Sequence, residues 1–340
     1  MNTAHCAEPK KGLILHSGAI GDCLLTLPLA AFLKRACGLT QVHFMGRPEA
    51  IGFYPGRSGI DGVRPMESVP LHRLFEPKGE FVLEDHDRLI TAFDGYEQIV
   101  SFLGTDHPNF EQNLLLTVHC SHSAEITMLP LAPPTGGSEL LSHFYIRCYA
   151  QQYGVEMPTV ELTVPWLAPT TEDLLAGRDR LEQVGVNLDA SVAILHPGSG
   201  GRHKCWHPEN FLNLANALGS RGRQPVFLFG PAEQERFALP LQEQFRQAAP
   251  VLSNLNLTQT LQILTQADLF IGNDSGISHL AGALGKKTIA IFGPTDSALY
   301  RPLGPAVTIF QAQPEGFQAP CPADLAHLLE RLDTLVLNNQ

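Results

Sequence analysis

The sequence predicts an α/β protein with a parallel β-sheet in each of two domains. At 340 residues the chain is longer than one hydrophobic core usually serves, so two domains of about 150 residues are expected. In both halves, short apolar strands alternate with segments of helical periodicity, which is typical of βαβ units. A strand, a polar turn, a helix and a second strand follow one another near each end of the chain.

The first of these units opens the chain. Residues 12–16 form a short apolar strand, residues 17–22 a turn rich in glycine, and residues 23–37 a segment with helical spacing. Pro28 lies early in that segment and is expected to kink or restart the helix. Residues 41–45 complete the unit as a second strand.

The pattern weakens between residues 46 and 95, where glycine, proline and charged side chains predict loops with one or two helices. A strand is expected at 98–103 and a helix at 140–153. A stretch rich in proline and threonine at 158–171 suits a connector. We therefore predict a first domain at 1–168 and a second at 169–340.

The second half alternates regularly. Strands are expected at 192–195, 226–229, near 251, 269–271 and 288–292, and helices at 174–184, 208–218, 232–247, 258–265, 277–284 and 323–335. Strands followed by helices in this manner predict a parallel sheet, whose carboxyl edge binds ligands.

Composition excludes several classes of protein. The formal net charge is −11 and no basic stripe is visible, so a nucleic-acid partner is not expected. The seven cysteines form no C-x-x-C pair, which favours reduced thiols over disulfides or a zinc site. The chain has neither the apolar core of a signal peptide nor an apolar run of about 18 residues. We expect a cytoplasmic protein, with peripheral contact at the cytoplasmic face of the inner membrane left open.

The first motif of chemical interest is Gly18-x-x-Gly21-Asp22. Its glycines let the backbone turn tightly and approach a ligand, and Asp22 then stands at the start of a helix. One interpretation makes Asp22 a helix N-cap. The other makes it a general base that acts on an incoming hydroxyl. The spacing does not match the dinucleotide fingerprint G-x-G-x-x-G.

A second motif, at residues 196–206, follows a strand and precedes a helix. It combines glycines, the Ser199 hydroxyl and cations, which are the parts of a phosphate cradle, with Gly200 in its centre and Lys204 as the main cation. The alternative is a flexible loop with solvated cations. Three histidines in and beside this loop do not predict a metal site, because no carboxylate cluster accompanies them.

Two further turns carry polar side chains at strand ends. Glu233 could accept hydrogen bonds from ribose hydroxyls, or it could complement the dipole of its own helix. Asp274 could accept from sugar hydroxyls, while Ser275 and Gly276 open a helix whose N–H groups suit phosphate. His279, on the first turn of that helix, could bind the diphosphate or be a buried structural residue.

These motifs together resemble glycosyltransferase family 9, the ADP-heptose:lipopolysaccharide heptosyltransferases. The resemblance rests on their order along the chain: GAIGDCLLTLP, HPGSGGRHKCWHPENF, FGPAE, NDSGISHLAGALG and KTIAIFGPT. It implies a GT-B fold, with two Rossmann-like parallel-sheet domains facing a central cleft. It also implies acceptor binding by the first domain, nucleotide-sugar binding by the second, and a last helix that packs back on the first domain.

The resemblance also implies residue roles. Asp22 matches the catalytic base of an inverting transfer. The donor phosphates are matched by Ser199, Gly200, Lys204, Ser275, Gly276 and His279, and the donor ribose and sugar by Glu233 and Asp274. The nucleoside-diphosphate sugar is then a substrate, most simply ADP-heptose, and neither a cofactor nor a metal is expected.

Acceptor and donor identity stay open at this stage. Residues 1–150 hold 11 Lys and Arg against 16 Asp and Glu, whereas a lipopolysaccharide core is densely anionic. A less charged glycan acceptor or another nucleotide sugar therefore remains an alternative. So do a nucleotide-sugar 2-epimerase of the same fold and a nucleotide-sugar-binding protein without catalysis.

Overall fold

The computed structural model describes residues 9–134, 137–157 and 164–337. The chain divides into two compact units, Met1–Val160 and Glu161–Gln340. Part of the connector expected at 158–171 lies outside the described residues. The predicted domain limits therefore stay predictions.

The first unit is built on a parallel five-stranded sheet. Its strands are β1 (Lys11–Leu15), β2 (Gln41–Gly46), β3 (Gly62–Pro65), β4 (Tyr96–Ser101) and β5 (Glu125–Met128). Its helices are α1 (Ile20–Leu24), α2 (Leu27–Ala36), α3 (Pro48–Ile51), α4 (Arg88–Phe93), α5 (Pro108–His119) and α6 (Leu141–Tyr153). In the strand order β3-β2-β1-β4-β5, β2 and β3 are added on one side of β1, and β4 and β5 on the other. All five strands remain parallel, as in Rossmann-like sheets.

Proline explains the first departure from the predicted elements. The single helix expected at 23–37 is two helices, α1 and α2, and Pro28 is the second residue of α2. Proline fits there because the first helical N–H groups have no partner within the helix. The predicted restart of the helix at Pro28 is confirmed.

Two short strands of the first unit had no clear signal in the sequence. β3 has no buried residue and β5 only two, so neither carries the apolar run that marks a central parallel strand. Both lie at the edges of the sheet, β3 beside β2 and β5 beside β4. Edge positions leave one side to solvent, which weakens the pattern.

The second unit is built on a parallel six-stranded sheet. Its strands are β6 (Val192–His196), β7 (Gln224–Phe229), β8 (Val251–Ser253), β9 (Leu269–Asn273), β10 (Thr288–Phe292) and β11 (Val307–Gln311). Its helices are α7 (Thr171–Gln183), α8 (Pro208–Gly219), α9 (Pro231–Arg236), α10 (Leu239–Ala248), α11 (Leu257–Thr265), α12 (Gly276–Ala283), α13 (Ser297–Tyr300) and α14 (Pro322–Leu337). In the order β11-β10-β9-β6-β7-β8, β7 and β8 are added on one side of β6, and the later strands from β9 onward on the other, so the order of addition reverses between β6 and β9.

Two elements of this unit differ from those predicted by the sequence. The helix expected at 232–247 is interrupted at Phe237 and Ala238, which are extended, and α10 then begins at Leu239 with Pro240 as its second residue. β11 was not predicted, because only one of its five residues is buried.

The last helix, α14, packs within the second unit. Leu328 and Leu332 are buried in the same hydrophobic cluster as Phe211 and Leu214 of α8. Its packing onto the first domain stays a prediction of the family resemblance. Across the ranges given above, every helix is too short or too polar to cross a membrane.

Candidate functional site

The predicted donor-site residues follow three neighbouring strands of the second sheet. The loop at 196–206 leaves β6, Glu233 follows β7, and Asp274 follows β9. Because β9, β6 and β7 are adjacent and parallel, their carboxyl ends meet at one edge. The site thus straddles the point between β6 and β9 where the strand order reverses, which is the usual ligand position in such sheets.

An ion pair joins the loop to the turn before α12. The Nζ of Lys204 lies 2.8 Å from Oδ2 of Asp274, and the Asp274 side chain is only 6% exposed. A carboxylate so far removed from water needs a partner of opposite charge. The pair therefore holds the Lys204 ammonium group beside Asp274, two residues before α12 begins. It also neutralises the negative charge of Asp274, which would otherwise repel a diphosphate.

Ser199 ties the same two segments together through its hydroxyl group. Its Oγ donates to the main-chain oxygen of Asp274 at 2.6 Å, and the residue is 5% exposed. The hydroxyl proton is therefore not available to a phosphate unless this bond breaks. Gly200 differs, since it is exposed and a Cβ placed there would meet no atom within 4 Å.

Arg236 clamps the loop, a role that the sequence reading missed. Its guanidinium donates to the main-chain oxygens of Ser199 and Gly200, both at 2.9 Å. Arg236 and Glu233 are three residues apart on α9, so they share a face of that helix. That spacing was the signal that could have identified the arginine.

The side-chain amide of Asn273 binds both ends of the loop at 196–206. Its Oδ1 accepts from the main-chain N–H of Trp206 at 2.9 Å, and its Nδ2 donates to the oxygen of Pro197 at 2.7 Å. One fully buried side chain thus joins both ends of the loop. Trp206 is itself buried and makes an edge contact with Phe211, so it is a packing residue.

The N-terminus of α12 lies directly after Asp274. Ser275 is the N-cap, and its Oγ accepts from the N–H of Ser278 at 3.3 Å. The N–H groups of Gly276 and Ile277 come before that capped position, where the helix dipole favours an anion. His279 is buried in this helix, so its predicted contact with a diphosphate stays a prediction.

Glu233 is enclosed by the loop. Its Oε2 accepts from the N–H of Gly230 at 2.6 Å, which complements the start of its own helix, and the residue is 2% exposed. A Cβ on Gly198 would lie 1.0 Å from Oε1, so only glycine leaves room for this carboxylate. Within the described ranges, Oε1 has no hydrogen-bond partner.

His196 lies beside Glu233. Its Nε2 is 3.8 Å from Oε1 of the glutamate, and its Nδ1 is 3.4 Å from the Ser275 hydroxyl. Burial lowers the pKa of His196 and outweighs the opposing attraction of Glu233. Where side chains are described, no group of three or more His, Cys, Asp or Glu is placed to hold a metal ion.

Asp22 belongs to the first unit and lies at the corresponding edge of its sheet. It is the third residue of α1 rather than the N-cap, which is Ala19. Its Oδ2 accepts from the Ala19 N–H at 2.9 Å, so the carboxylate still satisfies the helix start. The capping interpretation is therefore wrong in position, although the carboxylate does bind the end of the helix.

His16 shapes the turn that carries Asp22, and the sequence reading did not identify it. Its Nδ1 accepts from the N–H of Gly18 at 2.8 Å, and a Cβ on that glycine would lie 2.3 Å from the imidazole. Burial lowers the pKa of His16 to about 4, although Asp22 opposes the change. On the other side of the turn, Arg47 donates to the oxygen of Gly18 at 3.0 Å.

Comparison with known sequences identifies relatives. The model of glycosyltransferase family 9 (heptosyltransferase) matches residues 145–326. Lipopolysaccharide heptosyltransferase 1 of Salmonella typhimurium is 31% identical over 294 residues, which cover 84% of this chain and 89% of that protein. Lipopolysaccharide heptosyltransferase 3 of Escherichia coli is 29% identical over 128 residues, 37% of each chain. For lipooligosaccharide heptosyltransferase 2 of Haemophilus influenzae the match is 31% over 120 residues, 33% of each chain. The chain thus spans about a third of the length of the last two relatives.

Solved structures share the fold over nearly the whole chain. The family 9 glycosyltransferase of Veillonella parvula superposes with a TM-score of 0.70 at 17% identity, covering 97% of both chains. E. coli ADP-heptose lipopolysaccharide heptosyltransferase II gives 0.67 at 16% identity, covering 97% of this chain and 99% of that one. These likenesses confirm the predicted GT-B fold with two Rossmann-like domains. The family match and the relative that spans most of the chain lead to one conclusion: this protein belongs to glycosyltransferase family 9.

Proposed function

We propose that this protein is an inverting glycosyltransferase that moves heptose from ADP-heptose to a lipopolysaccharide-core acceptor. Membership of family 9 supports this, as do relatives named as lipopolysaccharide heptosyltransferases. E. coli heptosyltransferase structures of the same fold were solved with ADP and with ADP-2-deoxy-2-fluoro heptose. The observation that carries the proposal is the ion pair of Lys204 and Asp274 at the start of α12.

In this proposal the diphosphate lies between Lys204 and the first N–H groups of α12. When the sugar–phosphate bond breaks, negative charge grows on the leaving ADP. The ammonium and the helix N-terminus stabilise that charge, and a single preorganised donor of this kind is worth roughly 2.7–4 kcal/mol. Asp274, held next to the ammonium, accepts from a hydroxyl of the sugar.

Asp22 is the general base of the proposed reaction. It takes the proton of the acceptor hydroxyl while the oxygen forms a bond to the anomeric carbon. The bond from that carbon to the diphosphate oxygen breaks on the opposite face, and the configuration inverts. The hydrogen bond from Ala19 orients the carboxylate through Oδ2 and leaves Oδ1 to receive the proton.

Ribose recognition by Glu233 is part of the same proposal. Oε1 is buried among the described atoms without a hydrogen-bond partner, and such a group usually acquires one from solvent or ligand. A ribose hydroxyl would supply it. Contact with the inner membrane remains a further prediction.

The experiment that tests the function combines purified protein, ADP-heptose and a lipopolysaccharide core that lacks heptose. Heptosylated product and released ADP are measured together, because transfer produces them in equal amounts. Heptosylation of the core with inversion supports the proposal. An epimerised nucleotide sugar formed without acceptor, or tight ADP binding with no turnover on any glycan, would replace it with one of the two alternatives.

A further inference from the structure

A cavity opens past the ends of β10 and β11, at the edge of the second sheet that carries the candidate donor-site residues. Its volume is about 500 Å³. Three glutamines, a histidine and an aromatic ring line it beside four small or apolar residues: Gln311, Gln313, Gln318, His203 and Phe317, with Gly293, Pro294, Ala312 and Pro314. We call this cavity the glutamine pocket.

Strand order places the glutamine pocket relative to the donor site. Along this edge Glu233 follows β7, Lys204 follows β6, Asp274 follows β9, and the pocket follows β10 and β11. Neighbouring strands are about 4.8 Å apart, so the pocket begins within roughly 10 Å of the Asp274 position. It lies on the side of Asp274 away from Glu233. His203, which lines it, immediately precedes Lys204.

One wall of the glutamine pocket is held in place by buried hydrogen bonds. It is a 3₁₀ turn, Pro314–Phe317. The oxygen of Gly316 accepts from the N–H of His207 at 2.8 Å and from Nδ2 of Asn210 at 3.1 Å. These donors stand at the start of α8, directly after the loop at 196–206. The turn and the loop therefore share one support.

Asp324 reinforces that support. Its carboxylate accepts from the N–H of Gln313 at 3.2 Å and from the indole N–H of Trp206 at 3.2 Å. The ring of Phe317 rests on Gly293, where a Cβ would lie 2.4 Å from the ring. The aromatic face and the glutamine backbone are thus fixed before any ligand arrives, which lowers the entropy cost of binding.

The lining chemistry suits a hydroxyl-rich ligand without charge. A glutamine amide carries two N–H donors and an acceptor oxygen, which match hydroxyl groups that both donate and accept. Gln311 already donates to the oxygen of Gly293 at 2.8 Å, so Gln313 and Gln318 supply most of these groups. Phe317 offers an apolar face to the C–H side of a sugar ring. Of the described residues that line this cavity, none is Asp, Glu, Lys or Arg, so an anionic group would lack a cation there.

We propose that the glutamine pocket binds an uncharged sugar unit beside the diphosphate, an inference that rests on the proposed function of the donor site. Two sources supply the same chemistry: the sugar of the nucleotide donor, and the terminal sugar of the acceptor. A nucleobase, the other planar polar ligand, is the competing occupant. We expect the nucleobase on the Glu233 side of Asp274, next to the ribose contact proposed above.

The test uses two variants of the full chain and one matched control. Gln313→Ala/Gln318→Ala removes two exposed amides, and Phe317→Leu keeps apolar packing while removing the aromatic face. Gln247→Ala removes an exposed amide from α10, away from this edge. Calorimetry with ADP and with ADP-heptose is combined with the KM for the heptose-deficient core.

We expect both pocket variants to bind ADP as the wild type does. A rise of about tenfold in the Kd of ADP-heptose identifies the donor sugar as the occupant, and the same rise in acceptor KM alone identifies the acceptor. The Gln247→Ala control should change neither. Equal weakening of ADP and ADP-heptose, or no change in either quantity, overturns the inference.

A third measurement separates this inference from the proposed function. Saturation-transfer NMR with a methyl heptoside alone needs neither nucleotide nor turnover. Signal with the wild type that is lost in Gln313→Ala/Gln318→Ala supports the pocket even if no ADP binds and no heptose is transferred. Absence of any saccharide signal, together with unchanged Kd and KM values, rejects it while the transferase assignment stands.

Discussion

The turn after β1 and the loop after β6 occupy the same place in two sheets of like strand order, yet they hold their functional side chains differently. The first turn is organised around a neutral imidazole, because burial keeps the pKa of His16 near 4 while its Nδ1 supports Gly18, and its one arginine contact is that of Arg47 with the Gly18 oxygen. The loop is organised by charge, with Lys204 on Asp274 and Arg236 on two carbonyls.

This difference suits two chemistries. A base must accept a proton, and a carboxylate that is paired with a cation accepts one less readily. A diphosphate site must instead tolerate growing negative charge, which favours fixed cations and N–H groups. The carboxyl edge of each sheet supplies the position of the site, and the side chains around each turn determine which charge it can stabilise.

The largest expected effect separates the two turns by function. Asp22→Asn should lower the turnover number for heptose transfer by about 10²–10⁴-fold, the usual contribution of a general base. The Kd of ADP, measured by calorimetry, should stay unchanged because Asp22 belongs to the other unit. Asp85→Asn, an exposed carboxylate of the same unit, is the control. Full transfer by the Asp22 variant would end its assignment as the base.

The charge-based support of the loop is tested at Lys204. Lys204→Met should reduce turnover by about 10²–10³-fold and weaken ADP binding, because the leaving group loses its cation. It should also lower the free energy of unfolding, since Asp274 is left buried without a partner. Adding Asp274→Asn should restore the unfolding midpoint in urea but not the activity. A double variant as unstable as the single one would show that the ion pair does not support the loop.

Steric fit in the loop is tested by a pair of glycines. Gly198→Ala should lower the free energy of unfolding by about 2–3 kcal/mol, because its Cβ would overlap the Glu233 carboxylate. Gly200→Ala, two residues away and facing open space, should change it by less than about 0.5 kcal/mol. Urea unfolding of both variants measures the difference. Equal values would mean that Glu233 is not fixed against the loop.

The smallest expected effect concerns the neutral support in the first turn. The pKa of His16 falls from 6.5 to about 4 on folding, so below pH 6.5 the unfolded chain takes up a proton that the folded one refuses. The free energy of unfolding therefore decreases as pH falls through this window. From pH 7 to pH 5 the wild type should lose about 2 kcal/mol more than His16→Asn. Urea unfolding at both pH values, with the exposed His72→Asn as control, measures it. A loss as large in His16→Asn would assign the pH dependence to other groups.

The sequence predicted the central parts of both sheets well, for a physical reason. β1, β6 and β9 are buried on both faces, so each is a continuous apolar run that ends in a polar turn. Candidate site residues that follow such strands could be named directly. Asp22, Lys204, Glu233 and Asp274 all came from that pattern.

The supports of the site could not be predicted in the same way. Asn273 and Arg236 act through contacts with residues 76 and 37 positions away in the chain, and no local pattern encodes those contacts. His16 reads as the last residue of a strand, and its lowered pKa exists only because the strand is buried. Edge strands such as β3 and β11 were missed because half-exposed strands lack a strong apolar signal.

The shared carboxylate of Asp324 has a consequence for the order in which the protein is assembled during synthesis. Asp324 bonds to the indole of Trp206 across 118 residues of chain. The turn that carries Asp22 can form earlier, because its hydrogen bonds join residues between His16 and Arg47. The Trp206 contact at the end of the loop at 196–206 can form only after Asp324, at the start of α14, has been made. The turn that carries Asp22 can therefore form before this support of the loop at 196–206 is complete.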